Sequence, residues 1–196
     1  TLLANLAQSN SNWIGSVMRI EPKPSLDTSL FYEIIEEGDS IARIKLAVQM
    51  AAFVANDENS DGERNQVVPV ILKLCVDPVK EVRQTLVNGF AGVTNLHPDI
   101  VFSILADDDD IALPFLDTTP ALNHWHMLAV LRVGDELRQA AIARRPDISD
   151  EALAHILKSG SRELCQILFG NQSARFDDAG YHLLYDRFGQ VPEIVD

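Results

Sequence analysis

Residues 97–174 divide into three consecutive stretches of 26 residues, HPDIVFSILADDDDIALPFLDTTPAL (97–122), NHWHMLAVLRVGDELRQAAIARRPDI (123–148) and SDEALAHILKSGSRELCQILFGNQSA (149–174). Apolar residues recur at the same spacing, which we call the repeat step, in two series: Leu105, Leu131, Leu157 and Leu183, and Leu116, Ile142 and Leu168. A fixed period of this size indicates stacked helical repeats, whose units bury their apolar faces only against their neighbours. We therefore predict pairs of short helices here.

The start of each stretch also carries the chemistry of a helix N-terminus. His97, Asn123 and Ser149 stand at the predicted N-cap positions, and Pro98 follows at the first helical position, where a missing N–H is tolerated. Each cap is flanked by the two apolar residues of a hydrophobic staple. These pairs are Leu96 with Val101, Leu122 with Met127, and Ile148 with Leu153, and a fourth copy, Phe176, Asp177 and Tyr181, is shifted by two residues.

The N-terminal half has helical periodicity as well, with a broad apolar stripe from Ile41 to Val54. The segment Asp77-Pro-Val-Lys-Glu-Val-Arg83 resembles the first helix of a HEAT repeat, and Gly38-Asp39-Ser-Ile-Ala-Arg-Ile-Lys45 is a looser version. Further along, Ala143-Arg-Arg-Pro-Asp-Ile-Ser-Asp-Glu-Ala152, Leu157-Lys-Ser-Gly160 and Gly170-Asn-Gln-Ser-Ala-Arg-Phe176 resemble a proteobacterial family of HEAT-like repeat proteins catalogued as a domain of unknown function. The resemblance implies a fold and no activity.

The predicted fold class is all-α, a single-domain, right-handed α-solenoid of HEAT-like stacked helix pairs. Residues 1–25 are predicted to form an N-terminal helical cap or an arm, and residues 26–76 HEAT-like repeats. Residues 77–189 are predicted to form the compact pairs that follow the repeat step, and residues 190–196 a C-terminal tail. Glycine and proline at the predicted borders divide the chain into helices of roughly 8 to 17 residues.

Composition excludes several classes of partner. The chain of 196 residues has 16 Lys and Arg against 29 Asp and Glu, a net charge of −13. This charge disfavours nucleic acid and anionic membranes, both of which are bound through basic side chains. A HEAT-like protein that binds nucleic acid is therefore only the second alternative function. No apolar run reaches the roughly 18 residues of a membrane span. Cys75 and Cys165 lie in separate apolar runs, so we expect two buried thiols and a cytoplasmic protein.

Two patterns resemble metal sites, and both are incomplete. Asp57, Asn59, Asp61 and Gly62 match the first half of a calcium loop, but its twelfth position is Val68, where a bidentate carboxylate is needed. A solvated acidic loop is the alternative that we favour. His124 and His126 have the spacing of a zinc pair on a strand, but on a helix their side chains diverge. We therefore expect no metal and no cofactor.

An enzyme or a small-ligand-binding helical-repeat protein is the alternative function, with a site near Asp107 to Asp110 and His126. These four consecutive acids are also typical of a solvated turn that caps a helix, because carboxylates are favourable at helix N-termini. We favour the turn, because no phosphate loop, nucleophile elbow or other catalytic pattern accompanies the acids. No catalytic residue is predicted.

A non-catalytic interaction or scaffold module that binds a protein or peptide is the function that we predict. Trp125 is one repeat step from Asp99 and from Glu151, so an aromatic residue occupies a position that is acidic in its neighbours. An exposed tryptophan is typical of binding hot spots, and we predict that Trp125 and His124 contact the partner, with local packing over Pro120 or Leu122 as the alternative.

Arg144 and Arg145 form the densest basic spot of the chain. They are candidates for binding an acidic or phosphorylated partner, while service to a helix C-terminus and nearby carboxylates is the alternative. We expect the partner to dock along the face of the second helices, with its own basic patches complementing the acidic chain. The oligomeric state stays open.

Overall fold

The computed structural model describes residues 27–189, and this part of the chain is all-α, without a strand. Its eleven helices are α1 (Ser29–Glu37), α2 (Ser40–Ala55), α3 (Asp61–Cys75), α4 (Lys80–Gly89), α5 (Pro98–Leu105), α6 (Asp109–Thr118), α7 (His124–Val133), α8 (Glu136–Arg144), α9 (Asp150–Ser159), α10 (Arg162–Phe169) and α11 (Asp178–Phe188). Their lengths of 8 to 16 residues agree with the prediction. The predicted N-terminal cap or arm, residues 1–25, and the tail, residues 190–196, lie outside the described residues.

The helices pack in two rows. The first row consists of α1, α3, α5, α7, α9 and α11, and the second row of α2, α4, α6, α8 and α10. In the second row each helix packs on the next from α2 to α10, and the first row is continuous in the same way except between α5 and α7, which touch much less. Helices that follow each other in the chain also pack across the rows, as α5 does on α6 and α7 on α8.

The predicted N-caps are confirmed. His97, Asn123 and Ser149 each accept a hydrogen bond from a backbone N–H of the helix that they precede. Asp177 does the same for α11, with 2.7 Å between its carboxylate and the Gly180 N–H. The rings of the predicted staple at this helix, Phe176 and Tyr181, have centroids 5.7 Å apart. The first helices of residues 97–174 therefore begin at the repeat step.

The segment that resembles the first helix of a HEAT repeat forms the second helix of its pair, not the first. It forms α4, which packs on α2 and α6 and so belongs to the second row. The helix begins at Lys80, and Asp77 accepts hydrogen bonds from the Val79 N–H at 2.8 Å and from Arg43 Nε at 2.7 Å. Asp77 thus closes the turn between α3 and α4, which pairs α4 with the helix before it. The looser version forms α2, also in the second row.

The core lies between the two rows and follows the predicted apolar series. Leu116, Ile142 and Leu168 are all completely buried. Both cysteines are buried as well, and desolvation raises the pKa of the Cys75 thiol to about 12 and also raises that of Cys165. A thiol that stays protonated is a poor nucleophile, so both cysteines act as small core residues.

None of the helices in residues 27–189 combines the length and the apolar character that crossing a bilayer requires.

Glycine ends the first helix of two successive pairs because the next helix starts at once. Gly134 and Gly160 are the C-cap residues of α7 and α9, and Asp135 and Ser161, which follow them, are the N-caps of the next helices. A Cβ at Gly134 would lie 2.6 Å from the Val130 carbonyl oxygen, and one at Gly160 would lie 2.7 Å from that of Ile156. Both turns are too tight for a side chain.

Gly134→Ala is expected to lower the free energy of unfolding by about 1–3 kcal/mol, since the backbone must move to relieve this clash. The matched control is Gly62→Ala in α3, where the nearest atom to a new Cβ is 4.0 Å away. This control should gain about 0.4–1 kcal/mol, because alanine restricts the unfolded chain and favours helix. Urea unfolding measures both variants, and changes of equal sign would refute this account of the turn.

Candidate functional site

The first turn of α7 is fixed by a reciprocal cap. The Asn123 side chain accepts a hydrogen bond from the His126 backbone N–H at 3.1 Å, and His126 Nδ1 accepts one from the Asn123 backbone N–H at 3.3 Å. This capping box satisfies two backbone donors at the helix start. Trp125 lies within this turn, so the capping box holds its backbone in place.

The Trp125 side chain is on the surface. It is 66% exposed, and its ring partner is the half-buried His124, with 4.7 Å between the ring centroids. Packing over Pro120 or Leu122, the alternative for this side chain, would bury more of the indole. Trp125 is thus exposed at the start of α7, beside the half-buried His124.

The row that carries this pair differs from the expected docking face. Trp125 lies on α7, in the first row, whereas the sequence predicted docking along the second helices. Asn123 starts the first helix of its pair, so an anchor at Trp125 and a docking face on the second row are incompatible. We therefore take the first row as the candidate face.

Grooves open between neighbouring helices of the first row. One between α3 and α5 has a volume of about 190 Å³, one between α5 and α7 about 360 Å³, and one between α9 and α11 about 500 Å³. Volumes of a few hundred Å³ accommodate several apolar side chains of a ligand or peptide. The first row is therefore a grooved surface.

The groove between α5 and α7 is bordered by α7, the helix that carries Trp125. Its apolar lining includes Phe102 from α5 and Ala129 and Val133 from α7. Trp125, Ala129 and Val133 follow each other at intervals of four residues, so they share one face of the helix. Phe102 is 43% exposed and Val133 87% exposed. The indole thus lies on the face of α7 that borders the groove.

His126 packs against Phe102, one of the residues that line this groove. It is buried, and its ring meets the Phe102 ring edge to face, with centroids 5.2 Å apart. Burial lowers the pKa of the His126 imidazole, while a hydrogen bond to the Ala121 backbone opposes this shift. The neutral ring is therefore the form that fits between α5 and α7.

The fold should become less stable as the pH falls below about 6.5, the ordinary pKa of histidine. Below this pH the unfolded chain takes up a proton on His126, and the folded state resists this protonation. The contribution of the neutral His126 to stability is therefore complete above this pH and is lost as the pH falls below it. His126→Gln should weaken this dependence, because glutamine also completes a capping box. Urea unfolding of both proteins at pH 7.5 and 5.5 tests this, and equal losses in the two would contradict it.

An acidic rim closes one end of the groove. Arg138 of α8 donates to the Leu105 carbonyl oxygen at 3.0 Å and to Asp109 at 2.8 Å, and it also pairs with Asp135. The Arg138 side chain is only 14% exposed, whereas those of Asp109 and Asp135 are 51% and 54% exposed. The guanidinium is thus turned inward, and the surface presents carboxylates.

The four consecutive acids are bound to basic side chains. Asp107 and Asp108 accept hydrogen bonds from Arg83, Asp109 accepts one from Arg138, and Asp110 pairs with Lys80. Asp108 is the N-cap of α6, but its side chain makes no capping bond. The partners of His126 are Asn123, Ala121 and Phe102, so the histidine shares no partner with these acids. The arrangement gives no support to an enzyme site here.

The two neighbouring arginines have different environments. Arg145 is buried, and its guanidinium donates to the carbonyl oxygens of Leu116 and Thr119 and pairs with Asp147. It cannot contact a partner on the surface, so we remove it from the candidate residues. Arg144 is 55% exposed and lies 4.0 Å from Asp117.

A set of hydrogen bonds that join helices of the two rows was not predicted from the sequence. Asn171, one repeat step after Arg145, donates to the carbonyl oxygens of Ala143 and Arg145 at 3.0 and 2.8 Å, so both side chains serve the C-terminal end of the preceding second helix. The bonds from Arg138 to Leu105 and from Arg187 to Gly160 also cross to the preceding pair, whereas those from Arg43 to Gly38 and from Arg83 to Asp77 join the two helices of one pair. The sequence signal for these bonds was that Arg145 and Asn171 are one repeat step apart. It was missed because the two residues differ in type.

The residues of the candidate metal patterns serve the local backbone. Asn59 donates to the Phe53 carbonyl oxygen at 2.8 Å, and Ser60 caps α3, whose first residue is Asp61. Asp57 is fully exposed and lies 3.7 Å from Arg64. Within residues 27–189, no group of three or more His, Cys, Asp or Glu side chains is arranged to hold a metal ion.

Comparison with known families supports part of the resemblance. Residues 111–196 match DUF2336, a family described as an uncharacterised protein conserved in bacteria. The matched part begins within α6 and includes Trp125 and the α7 side of the groove. No curated protein and no solved structure matches the chain. The C-terminal part of this chain is therefore similar to a bacterial domain of unknown function.

Proposed function

We propose that the chain is an α-solenoid of HEAT-like helix pairs that acts as a non-catalytic protein-interaction module, with Trp125 as the anchor of its docking face. The observation that carries this proposal is the exposure of Trp125 on a grooved row of helices, at a position where the neighbouring repeats have Asp99 and Glu151. The unbroken packing of the second row, and of the first row on either side of the α5–α7 groove, supports the solenoid.

The energetics of recognition favour this surface. Tryptophan is among the residues that contribute most to binding when a partner excludes water from them. An indole that is 66% exposed in the free protein has most of its apolar area still to bury. Because a reciprocal capping box fixes the turn that carries it, docking orders little additional backbone.

The use of the arginines supports a protein partner over a nucleic acid. Arg83, Arg138, Arg145 and Arg187 bind backbone carbonyl oxygens at the ends of helices. Their guanidinium groups are thus engaged in joining repeats, on a chain whose net charge is −13. Binding to phosphates needs basic side chains that are free to replace counterions. The two buried thiols suit a reducing compartment, and the proposal places the module in the cytoplasm.

Photocrosslinking in living cells tests the proposal. The full chain carries p-benzoyl-phenylalanine at position 125 or, as a matched control, at position 185, because Tyr185 of α11 is also an aromatic residue and is 65% exposed. We expect a discrete adduct with another protein from position 125 that is missing from position 185. Equal adduct patterns from the two positions would contradict an anchor at Trp125.

Trp125→Ala is then expected to weaken the binding of the crosslinked protein about 30-fold, which corresponds to the roughly 2 kcal/mol of a hot-spot residue. Tyr185→Ala is the control and should leave affinity within about twofold. Calorimetric titration with the purified partner measures both changes. If Trp125→Ala bound as tightly as the wild type, Trp125 would not be the anchor.

A further inference from the structure

The first turns of α5, α7 and α9 form one edge of the first row, which we call the N-terminal edge. Asp99, Trp125 and Glu151 occupy equivalent positions there, each one repeat step from the next. The Asp99 side chain is 67% exposed, and Asp150 and Glu151 are exposed as well. The edge thus presents an indole between two acidic positions.

The first turns that form this edge contain no lysine or arginine, and the exposed Arg132 and Lys158 lie in the last turns of α7 and α9. One exposed basic residue, Arg175, lines the groove between α9 and α11 together with Asp150. Arg144, at the end of α8, belongs to the second row and has Asp117 as its partner. The charges flanking Trp125 on the N-terminal edge are therefore negative.

From this charge pattern we infer that the docking face binds a basic peptide segment of the partner, which crosses the N-terminal edge in an extended conformation. The inference rests on the proposed function and names the chemistry of the partner. An apolar or aromatic residue of the segment contacts Trp125 and the groove beside it, and a Lys or Arg on either side pairs with Asp99 and with Asp150 or Glu151.

The spacing of the basic residues follows from helix packing. Packed helices lie about 8–10 Å apart, but a groove separates α5 from α7, so α5 and α9 are at least about 16–20 Å apart. An extended chain advances about 3.3 Å per residue, so at least five or six residues span this distance. The central apolar residue should then lie two or three residues from each basic one, whose long side chain covers the rest of the distance. Exposed charges of this kind add specificity and faster association, whereas the aromatic contact provides most of the affinity.

Selection from a phage library of random dodecapeptides on the immobilised full chain tests the inference. We expect enriched sequences with an apolar or aromatic residue flanked on both sides by Lys or Arg at two or three residues. Synthetic copies of these peptides should lose at least tenfold in affinity for Trp125→Ala. They should lose about fivefold for Asp99→Lys and for Glu151→Lys at low salt, and less at high salt, because exposed charges are screened.

The control for the charge reversals is Glu36→Lys, an exposed acid on α1, which should leave affinity unchanged. Enriched peptides that need Trp125 but lack basic flanks would overturn the inference and leave the proposed function intact. Peptides that bind Trp125→Ala as well as the wild type would contradict both. A selection without enrichment over the uncoated support would overturn the inference, while the crosslinking experiment would still decide the proposed function.

Discussion

Replacing Arg145 by alanine is expected to lower the free energy of unfolding by about 3–5 kcal/mol, the cost of leaving buried groups without their charged partner. The Arg145 side chain is only 4% exposed and binds the carbonyl oxygens of Leu116 and Thr119 together with the Asp147 carboxylate. Both oxygens belong to the C-terminal end of α6, where helical carbonyls lack intrahelical donors. Alanine removes these bonds and the join between two units.

The neighbouring residue provides a matched control for this prediction. Arg144→Ala removes the same charge from the adjacent position. The Arg144 side chain is 55% exposed and lies as far as 4.0 Å from Asp117, so the free energy of unfolding should change by no more than about 0.5 kcal/mol. Arg145→Lys keeps the charge without the forked donor and should be intermediate in stability. Urea unfolding followed by circular dichroism measures all three variants. Similar stabilities for Arg144→Ala and Arg145→Ala would contradict the assigned role.

Ile142→Ala is expected to destabilise the chain by about 2–5 kcal/mol, because it leaves a cavity at a completely buried position. Ile142 lies on α8, which packs on α6, α7 and α10. In a linear array of repeats each unit is stabilised by its neighbours. Amide hydrogen exchange should therefore accelerate most in these helices and less in α2.

Leu137→Ala is the control on the same helix, since Leu137 is 55% exposed. Its expected cost is below about 1 kcal/mol, because little apolar area is lost. If both variants were equally stable, or if exchange accelerated uniformly along the chain, the burial of Ile142 between the two rows would be refuted.

The local elements of the fold were predictable because their chemistry is contained in short segments. The caps at His97, Asn123, Ser149 and Asp177 depend on residues within one helical turn, and the completely buried Leu116, Ile142 and Leu168 follow the repeat step. The place of α4 was not predictable in the same way. The row that a helix joins depends on the helix before it, and Asp77 closes that turn through Arg43, 34 residues away.

The candidate site was predictable only in part. The repeat step singled out Trp125, because an aromatic residue replaces an acid at one position. The groove beside it depends on the separation of α5 and α7, which Phe102 and the buried His126 determine across the two helices. The sequence pattern also could not separate Arg144 from Arg145, since their burial is decided by carbonyl oxygens of another repeat.

Fluorescence of a Trp13→Phe variant of the full chain tests the central claim most directly, because Trp125 is then the only tryptophan. Without a partner, its emission should be that of a solvent-exposed indole, and acrylamide should quench it readily. On titration with the crosslinked protein, we expect the emission to shift to shorter wavelength and the quenching to fall, as the indole becomes buried. Binding detected by calorimetry without a change in emission or quenching would contradict the claim that Trp125 anchors a docking face.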